Sequence, residues 1–473
     1  MQNLETLKPT IMSDDAWTDI LSDIDLLSQN HAKMTTAIEK KTNGQVFTPL
    51  AMAKQLVSLI DKFDDKIGIY ADAGAGTGIL SAALLARHSI ESNVPPKSLI
   101  AYEKDERLHA NWNVNFSKIS KKLKMEQGSC NLQSDFYQEA ESILTTGKTS
   151  CGSEASRLVL NPPYKKLGSK EHLSLLLKSH GIYAPNHYAA FVSLSVQWLK
   201  DDGELLAIIP RSFFNGAYFK KFREWLSSKM SIEHIVSYSS RSNFGKNVLQ
   251  ENVCLYLKKC KQRPLIRVSY CEHAEASPLH DLLIPQDQIL KDIWFLPSTP
   301  DHIIALKENS RLPHTLGSLG LSVSTGAVEV HRPECRKRPP VKVLYSRDFD
   351  ADGVITWSEV RKPRYFASSR GVFDLTDDNS GYVVIKRITA NDGNKNRLLP
   401  VWISKETTGL NKIGFDNHLQ VFSYSGKPIP KDEGARLVKF LCEKSTNLCV
   451  SAGNGTTQIN VNDLLALRFP SIS

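Results

Sequence analysis

At 473 residues the chain is too long for one compact domain and has room for two or three, each with its own core. Hydrophobic residues make up 41% and charged residues 23%, a globular balance that excludes a disordered or fibrous chain. The 59 Lys and Arg against 50 Asp and Glu leave +9, a basic excess that suits a polyanionic partner without requiring one. No apolar run approaches the roughly 18 residues a spanning helix needs. The Met1 end has no basic-then-apolar leader, so the expectation is a cytoplasmic protein with no membrane association. The eight cysteines are scattered, with no Cys-x-x-Cys pair and no zinc-like His spacing, and read as free thiols.

Residues 1–43 read as an N-terminal helical extension, amphipathic through Ile20, Leu21, Ile24, Leu26 and Leu27, that packs on the next domain. Gly44-Gln45-Val46-Phe47-Thr48-Pro49 is a turn leading into a helix near Pro49. From there the pattern alternates. Apolar runs at 67–73, 99–103, 158–160, 205–210, 232–237 and 252–259 read as strands, and segments 79–88, 189–200 and 218–230 as helices. Strand–helix alternation implies an α/β domain over 44–262, a mostly parallel sheet with helices on both faces. Prolines 264, 278, 285, 297 and 300 punctuate 263–300, which reads as a linker. Residues 301–473 mix short strands and loops, a mixed α+β domain with a net charge of about +6 and clustered Arg332, Arg336, Lys337, Arg338, Arg361, Lys362 and Arg364.

The first strand runs into Asp72-Ala73-Gly74-Ala75-Gly76-Thr77-Gly78 and then a helix. Glycines there remove Cβ atoms so that a ligand can lie against the backbone, although a dinucleotide site or a plain tight turn has the same look. The second strand ends at Glu103, where a carboxylate can accept from both hydroxyls of a ribose. Asp135-Phe136 closes the third strand region. The carboxylate suits an adenine amino group and the ring its face, with a helix N-cap as the plainer alternative for Asp135. All three positions fall at the carboxyl ends of strands, where open α/β sheets bind ligands. No Lys-Ser/Thr completes a phosphate loop, which argues against ATP.

The fourth strand delivers Asn161-Pro162-Pro163-Tyr164. Two prolines fix φ near −65° and remove two backbone donors, leaving a stiff loop lined with carbonyls. The bland reading is a proline turn at a strand end. The chemical one is methylation of an exocyclic amine, whose two N–H groups are accepted by the Asn161 side-chain oxygen and the Pro162 carbonyl. Its lone pair then turns toward an electrophilic methyl, while Tyr164 offers a face for the base.

On these motifs the chain resembles the γ-ordered N6-adenine DNA methyltransferases of restriction–modification systems, of the Taq and Pst type, from Gly44 to about Lys259. Tyr382-Val383-Val384-Ile385-Lys386-Arg387, Phe415-Asp416-Asn417-His418 and Asn454-Gly455-Thr456-Thr457-Gln458-Ile459-Asn460 resemble the target-recognition domain of the Pst-like branch, over 301–473. The resemblance implies a Rossmann-like S-adenosylmethionine-dependent catalytic domain. Phe47, Thr48, Pro49, Asp72, Gly74, Gly76, Gly78, Glu103, Asp135, Phe136 and Asn161 would bind the cofactor, with Thr48 on its methionine carboxylate. Asn161, Pro162, Pro163 and Tyr164 would act on the base, with Phe244 as a second aromatic wall. It implies base flipping from double-stranded DNA, and a cognate endonuclease encoded separately. Lys386, Arg387, Asn417 and Gln458 are candidate DNA contacts, each equally a solvated surface residue.

Asn-Pro-Pro-Tyr also occurs in enzymes that methylate a protein glutamine amide or an RNA base, typically with only a small extension beside the catalytic domain. A non-catalytic specificity subunit would carry degraded cofactor motifs, and these are intact. Cytosine C5 chemistry needs a Pro-Cys nucleophile, and the chain has no Pro-Cys dipeptide.

Overall fold

The computed structural model describes residues 15–36, 39, 47–63, 68–92, 94–239, 251–329, 341–350, 352–357, 364–366, 371–389, 396–455 and 457–472. These form two compact units: residues 1–213 with 218–286, and residues 214–217 with 287–473.

In the first unit, β1 (Ile69–Asp72), β2 (Ser98–Tyr102), β3 (Cys130–Gln133), β4 (Ala155–Leu160), β5 (Leu199–Pro210), β6 (Ser231–Tyr238), β7 (Asn252–Lys258), β8 (Leu265–Cys271) and β9 (His280–Pro285) make one sheet in the order β3-β2-β1-β4-β5-β7-β6-β8-β9. The strands from β3 to β5 are parallel to their neighbours, and β7 runs antiparallel to both β5 and β6. This is the expected Rossmann-like α/β sheet. Its order turns back between β1 and β4, the switch point at which such sheets bind ligands beyond their carboxyl ends. Strands buried on both faces need continuous apolar runs, and β4 supplies one in Leu158, Val159 and Leu160, none with any exposure.

The helices of this unit are α1 (Asp15–Met34), α2 (Leu50–Ser58), α3 (Ile79–Glu91), α4 (His109–Lys122), α5 (Ala140–Thr146), α6 (His172–Ser179), α7 (His187–Trp198) and α8 (Lys220–Lys229). The N-terminal helix is as expected in kind but differs in its apolar face. Trp17, Leu21, Ile24 and Ser28 are buried at helical spacing, whereas Leu26 points outward at 55% exposure. It packs on α2 and α3 within a shared core, so it is part of the first unit and not an appendage.

The expected linker at 263–300 is corrected by β8 and β9. Val268 and Ile266 bury against the sheet, and the prolines at 264, 278 and 285 sit outside or at the ends of the two strands, where a missing N–H costs no ladder bond. The second unit is mixed α+β, as expected. Strands Ser322–Thr325, Leu419–Ser423, Ser380–Lys386 and Pro400–Ser404 are ordered side by side, with Ile429–Pro430 also pairing to Ser380–Lys386. Val341–Leu344, Tyr365–Phe366, Val372–Asp374 and Lys412–Phe415 form a second sheet. Its longer described helices are Pro300–Ser310, Lys431–Cys442 and Lys444–Gly453. Among the described residues no helix is long and apolar enough to cross a membrane, no His, Cys, Asp and Glu cluster would hold a metal, and the cysteines are free.

Candidate active site

Four strand ends converge. Beyond β1, β2, β3 and β4 lies a cavity of about 460 Å³, lined among others by Phe47, Gly74, Gly76, Glu103, Asp135, Phe136, Asn161 and Pro163. A larger cavity of about 690 Å³ is walled by α2, β6 and β8 through Lys54, Gln55, His234, Arg267 and Cys271; of the sequence-derived site residues it contains only Pro49. The chemistry-bearing residues therefore share the smaller one.

The glycine loop is shaped by conformation as well as by space. Gly76 and Gly78 take φ of +56° and +89°, a region costly for residues with a Cβ. Glu103 stitches this loop to β2: its carboxylate accepts from the Gly76 N–H and from the Asp105 N–H, each at 2.7 Å. Burial raises the Glu103 pKa, and those two N–H donors oppose the rise. The N-terminal helix reaches the same place. Ser28 hydrogen-bonds Thr77 through the two hydroxyls, His31 meets Asp105 at 3.1 Å, and the His31 ring packs edge-on against Phe47 at 5.4 Å.

Asp72 stands apart from its expected role as a cofactor contact. It is fully buried below the loop and does not line the cavity; its carboxylate accepts from Ser81 Oγ at 2.6 Å and from the Gly74 N–H at 3.3 Å. It anchors the turn from beneath. Burial pushes its pKa up to about 7, against the Ser81 and Gly74 bonds and with Glu103 adding repulsion. A carboxyl whose folded pKa exceeds its unfolded value binds the proton more tightly when folded. Stability then falls as pH rises from about 4 to about 7 and levels off above. Asp72→Asn has no such titration and should gain on the parent across that window, by on the order of a few kcal/mol. Thermal melts of both proteins at pH 5 and pH 8 measure it, and a gap that does not change with pH counts against the assignment.

Asp135 does both things its sequence position allowed. It caps the short helix Phe136–Glu139 through the Tyr137 N–H at 3.0 Å, and it lines the cavity, with Lys104 at 3.1 Å from the other oxygen. Phe136 is buried among Tyr102, Phe191 and Trp198 while still forming part of the wall.

The Asn161 amide is held at both ends. Its Nδ2 donates to Thr48 Oγ1 at 2.9 Å, and its Oδ1 accepts from the Tyr164 hydroxyl at 2.8 Å. An amide held this way has a defined rotamer and a defined face for its oxygen. Thr48, expected on the cofactor's carboxylate, is buried outside the cavity lining and is engaged with Asn161 instead. Tyr164 also lies outside that lining. Burial raises its pKa, so it remains a donor, and its ring meets Tyr188 edge-on at 6.3 Å. Pro162 is buried, and Gly78 closes the loop at the start of α3. Gly44, Gln45, Val46 and Phe244 lie outside the described residues.

Residues 23–244 match the family model described as the Eco57I restriction-modification methylase. Over 469 residues the chain is 30% identical to the type II methyltransferase M.BsuBI of Bacillus subtilis, spanning 96% of this chain and 92% of that protein. It is also 30% identical to the type II methyltransferase M.PstI of Providencia stuartii, over 90% of this chain and 87% of that one. The chain belongs to the type II restriction–modification methyltransferases. It is thus a DNA methyltransferase by family. Among solved structures, that of the type IIG restriction endonuclease BpuSI aligns at 12% identity and a TM-score of 0.45, over 92% of this chain and 60% of that chain, a likeness too distant to bear on function.

In the second unit of this methyltransferase three of the four candidate DNA contacts come together. Arg387 Nη1 donates to the Asn417 carbonyl at 3.1 Å, and Gln458, with its amide oxygen facing the guanidinium, accepts from Nη2 at 2.9 Å and Nε at 3.1 Å. Lys386 lies with its Nζ 4.8 Å from the Phe349 ring centroid, and burial lowers its pKa. Asn417 and Gln458 therefore buttress Arg387. Sequence reading missed Lys104, Tyr137, Lys165, His187 and Phe191, all of which line the catalytic-unit cavity. His187 and Phe191 are one turn apart on a helix that is apolar nearly all round, so their spacing signals a core helix until the sheet order is known.

Proposed function

We propose that this methyltransferase transfers a methyl group from S-adenosylmethionine to N6 of an adenine turned out of duplex DNA, at a specific sequence. One observation carries the reading: the Asn161 amide is fixed by Thr48 and Tyr164 at the rim of a cavity that also presents Glu103, Asp135 and Phe136. That donor and acceptor set fits the cofactor. Glu103 is oriented by two backbone N–H groups, which leaves its carboxylate able to accept from a ribose diol, and Asp135 and Phe136 suit an adenine amino group and ring face.

When bound, S-adenosylmethionine supplies an electrophilic methyl on a sulfonium. The chain's part is to place and prepare the acceptor nitrogen. An amide oxygen accepts two hydrogen bonds, and Tyr164 makes one of them at Asn161 Oδ1. The base amino group would make the other, with its second hydrogen on the Pro162 carbonyl. Withdrawing both hydrogens from the ring plane turns the lone pair toward the methyl, and Tyr164 and Phe244 would enclose the base.

Flipping costs a few kcal/mol. Phosphate and base contacts from residues 301–473, including Lys386, Arg387, Asn417 and Gln458, would offset it as a target-recognition domain. Residues 44–286 would be the catalytic domain, 1–43 its N-terminal extension. Action in the cytoplasm and a separately encoded endonuclease partner belong to the same proposal.

The test is transfer of labelled methyl to duplex DNA followed by digestion to nucleosides. The label should appear in N6-methyldeoxyadenosine. Label in N4-methyldeoxycytidine would remove the adenine assignment, and label in RNA or release factor but not in DNA would overturn the reading.

A further inference from the structure

Three walls of the cavity come from stretches far apart in the chain. Phe47 precedes α2 and belongs to no strand or helix, Gly76 lies in the loop after β1, and Asp105 follows β2. One element reaches all three. Asp25, Ser28 and His31 of α1 are spaced by three residues, so each neighbours the next on the helix surface. Asp25 Oδ1 accepts from the Leu50 N–H at 3.1 Å, at the first residue of α2. The Ser28 hydroxyl bonds that of Thr77, next to Gly76, and both side chains are buried. His31 Nε2 lies 3.1 Å from Asp105 Oδ2, and the same ring stands edge-on to Phe47.

The direction of the His31 bond is fixed by its partner. Arg107 bonds the Asp105 carboxylate through Nε at 2.7 Å and Nη2 at 2.6 Å, which holds its pKa below the usual carboxylate value. An ionised carboxylate only accepts, so His31 donates from Nε2. The Asp105 N–H is in turn one of the two donors on Glu103. His31 thus stands between two residues that line the cavity, and is bonded to one whose backbone orients a third. Walls whose spacing is set in advance hold a ligand at less cost in lost freedom.

We propose that α1 is a positioning element of the cofactor site, in which His31 sets the spacing of Phe47 and Asp105 and Ser28 steadies the glycine loop. The proposal rests on S-adenosylmethionine as the cofactor. His31 and Ser28 act through the residues they hold and need not touch the ligand.

The experiment is calorimetric binding of S-adenosylhomocysteine to the full-length parent and to variants, with steady-state kinetics on duplex DNA beside it. His31→Ala should bind about tenfold more weakly, the worth of one hydrogen bond to a charged group. Its KM for S-adenosylmethionine should rise to match, while kcat at saturation stays within about threefold of the parent. His31→Gln, whose amide nitrogen can take the place of Nε2, should recover most of the affinity. Ile24→Val trims the core beneath the same helix and should lower the melting temperature with affinity unchanged. A His31→Ala protein that binds as tightly as the parent overturns the proposal. So does a His31→Gln protein no better than His31→Ala, or a loss of affinity in Ile24→Val as large as that in His31→Ala. Should His31→Ala fail to fold, Ser28→Ala carries the test: a loss of about threefold or more supports the role of α1, and unchanged affinity overturns it. A parent with no affinity for S-adenosylhomocysteine removes the cofactor reading, and this proposal with it.

Discussion

Asn161→Ala should lower kcat for DNA methylation by at least about 10³-fold, because it removes an acceptor that matters most when the amino nitrogen is becoming tetrahedral. Affinity for S-adenosylhomocysteine should hardly change, since Glu103, Asp135 and the glycine loop are untouched. The loss of rate with binding intact separates a chemical role from a structural one. Thr48 supplies the graded control. It accepts from Asn161 Nδ2 and is buried outside the cavity lining. Thr48→Val should therefore reduce kcat by roughly ten- to a hundredfold through a loosened amide. Thr48→Ser, which keeps the hydroxyl, should restore most of it. Steady-state kinetics on duplex DNA read both effects. If Thr48→Val raises KM for S-adenosylmethionine and leaves kcat alone, Thr48 acts on the cofactor instead. A fully active Asn161→Ala would sink the catalytic assignment.

Gly78→Ala should destabilise the first unit by about 3 kcal/mol or more and weaken cofactor binding with it. Two penalties coincide there. The residue has φ +89°, and a Cβ would sit 2.4 Å from Phe116 Cε2 and 2.9 Å from Trp112 Nε1. Neither ring can swing aside, because Trp112 and Phe116 are stacked at 4.0 Å with both side chains buried. Denaturant unfolding measures the loss. Adding Phe116→Leu should recover part of it, since the clash is relieved while the left-handed conformation still costs about 1–2 kcal/mol. Gly76→Ala, at φ +56° with open space where its Cβ would be, should cost only that conformational share. Equal losses at the two glycines would mean that the packing argument is wrong.

The parts of the site legible in the sequence are those in which chemistry follows a strand end at once. Glu103, Asp135 and Asn161 each come directly after or within two residues of a strand, those before Glu103 and Asn161 being apolar runs, and the structure brings all three to one cavity. What was hidden depends on chain-distant partners. Thr48 and Asn161 are 113 residues apart, and nothing local in the turn before α2 reveals that its hydroxyl serves the amide. Asp72 was misplaced because an acid beside a glycine loop looks the same whether it faces a ligand or anchors the turn from below. Only its complete burial against Ser81 distinguishes the two. In the fold, β8 and β9 were lost among prolines, since two short strands flanked by turn residues carry the local pattern of a linker. Leu265 and Leu283 on them are still about half exposed, so the apolar signal is diluted.

The second unit also takes in residues 214–217, which the chain supplies before it has finished building the first sheet. Trp294 N–H donates to the Phe214 carbonyl at 2.7 Å, and Asn215 Nδ2 donates at 2.9 Å to Asp463, a buried acid that also accepts from Asn454 Nδ2 and the Asn460 N–H. The two units are therefore not beads that one cut can part. Recombination that exchanged everything after residue 286 between two such genes would strand this four-residue insert in foreign company. Inheritance of a new C-terminal unit thus requires co-selection at Asn215, whose side-chain amide is matched to Asp463, a constraint on how freely this architecture exchanges that unit.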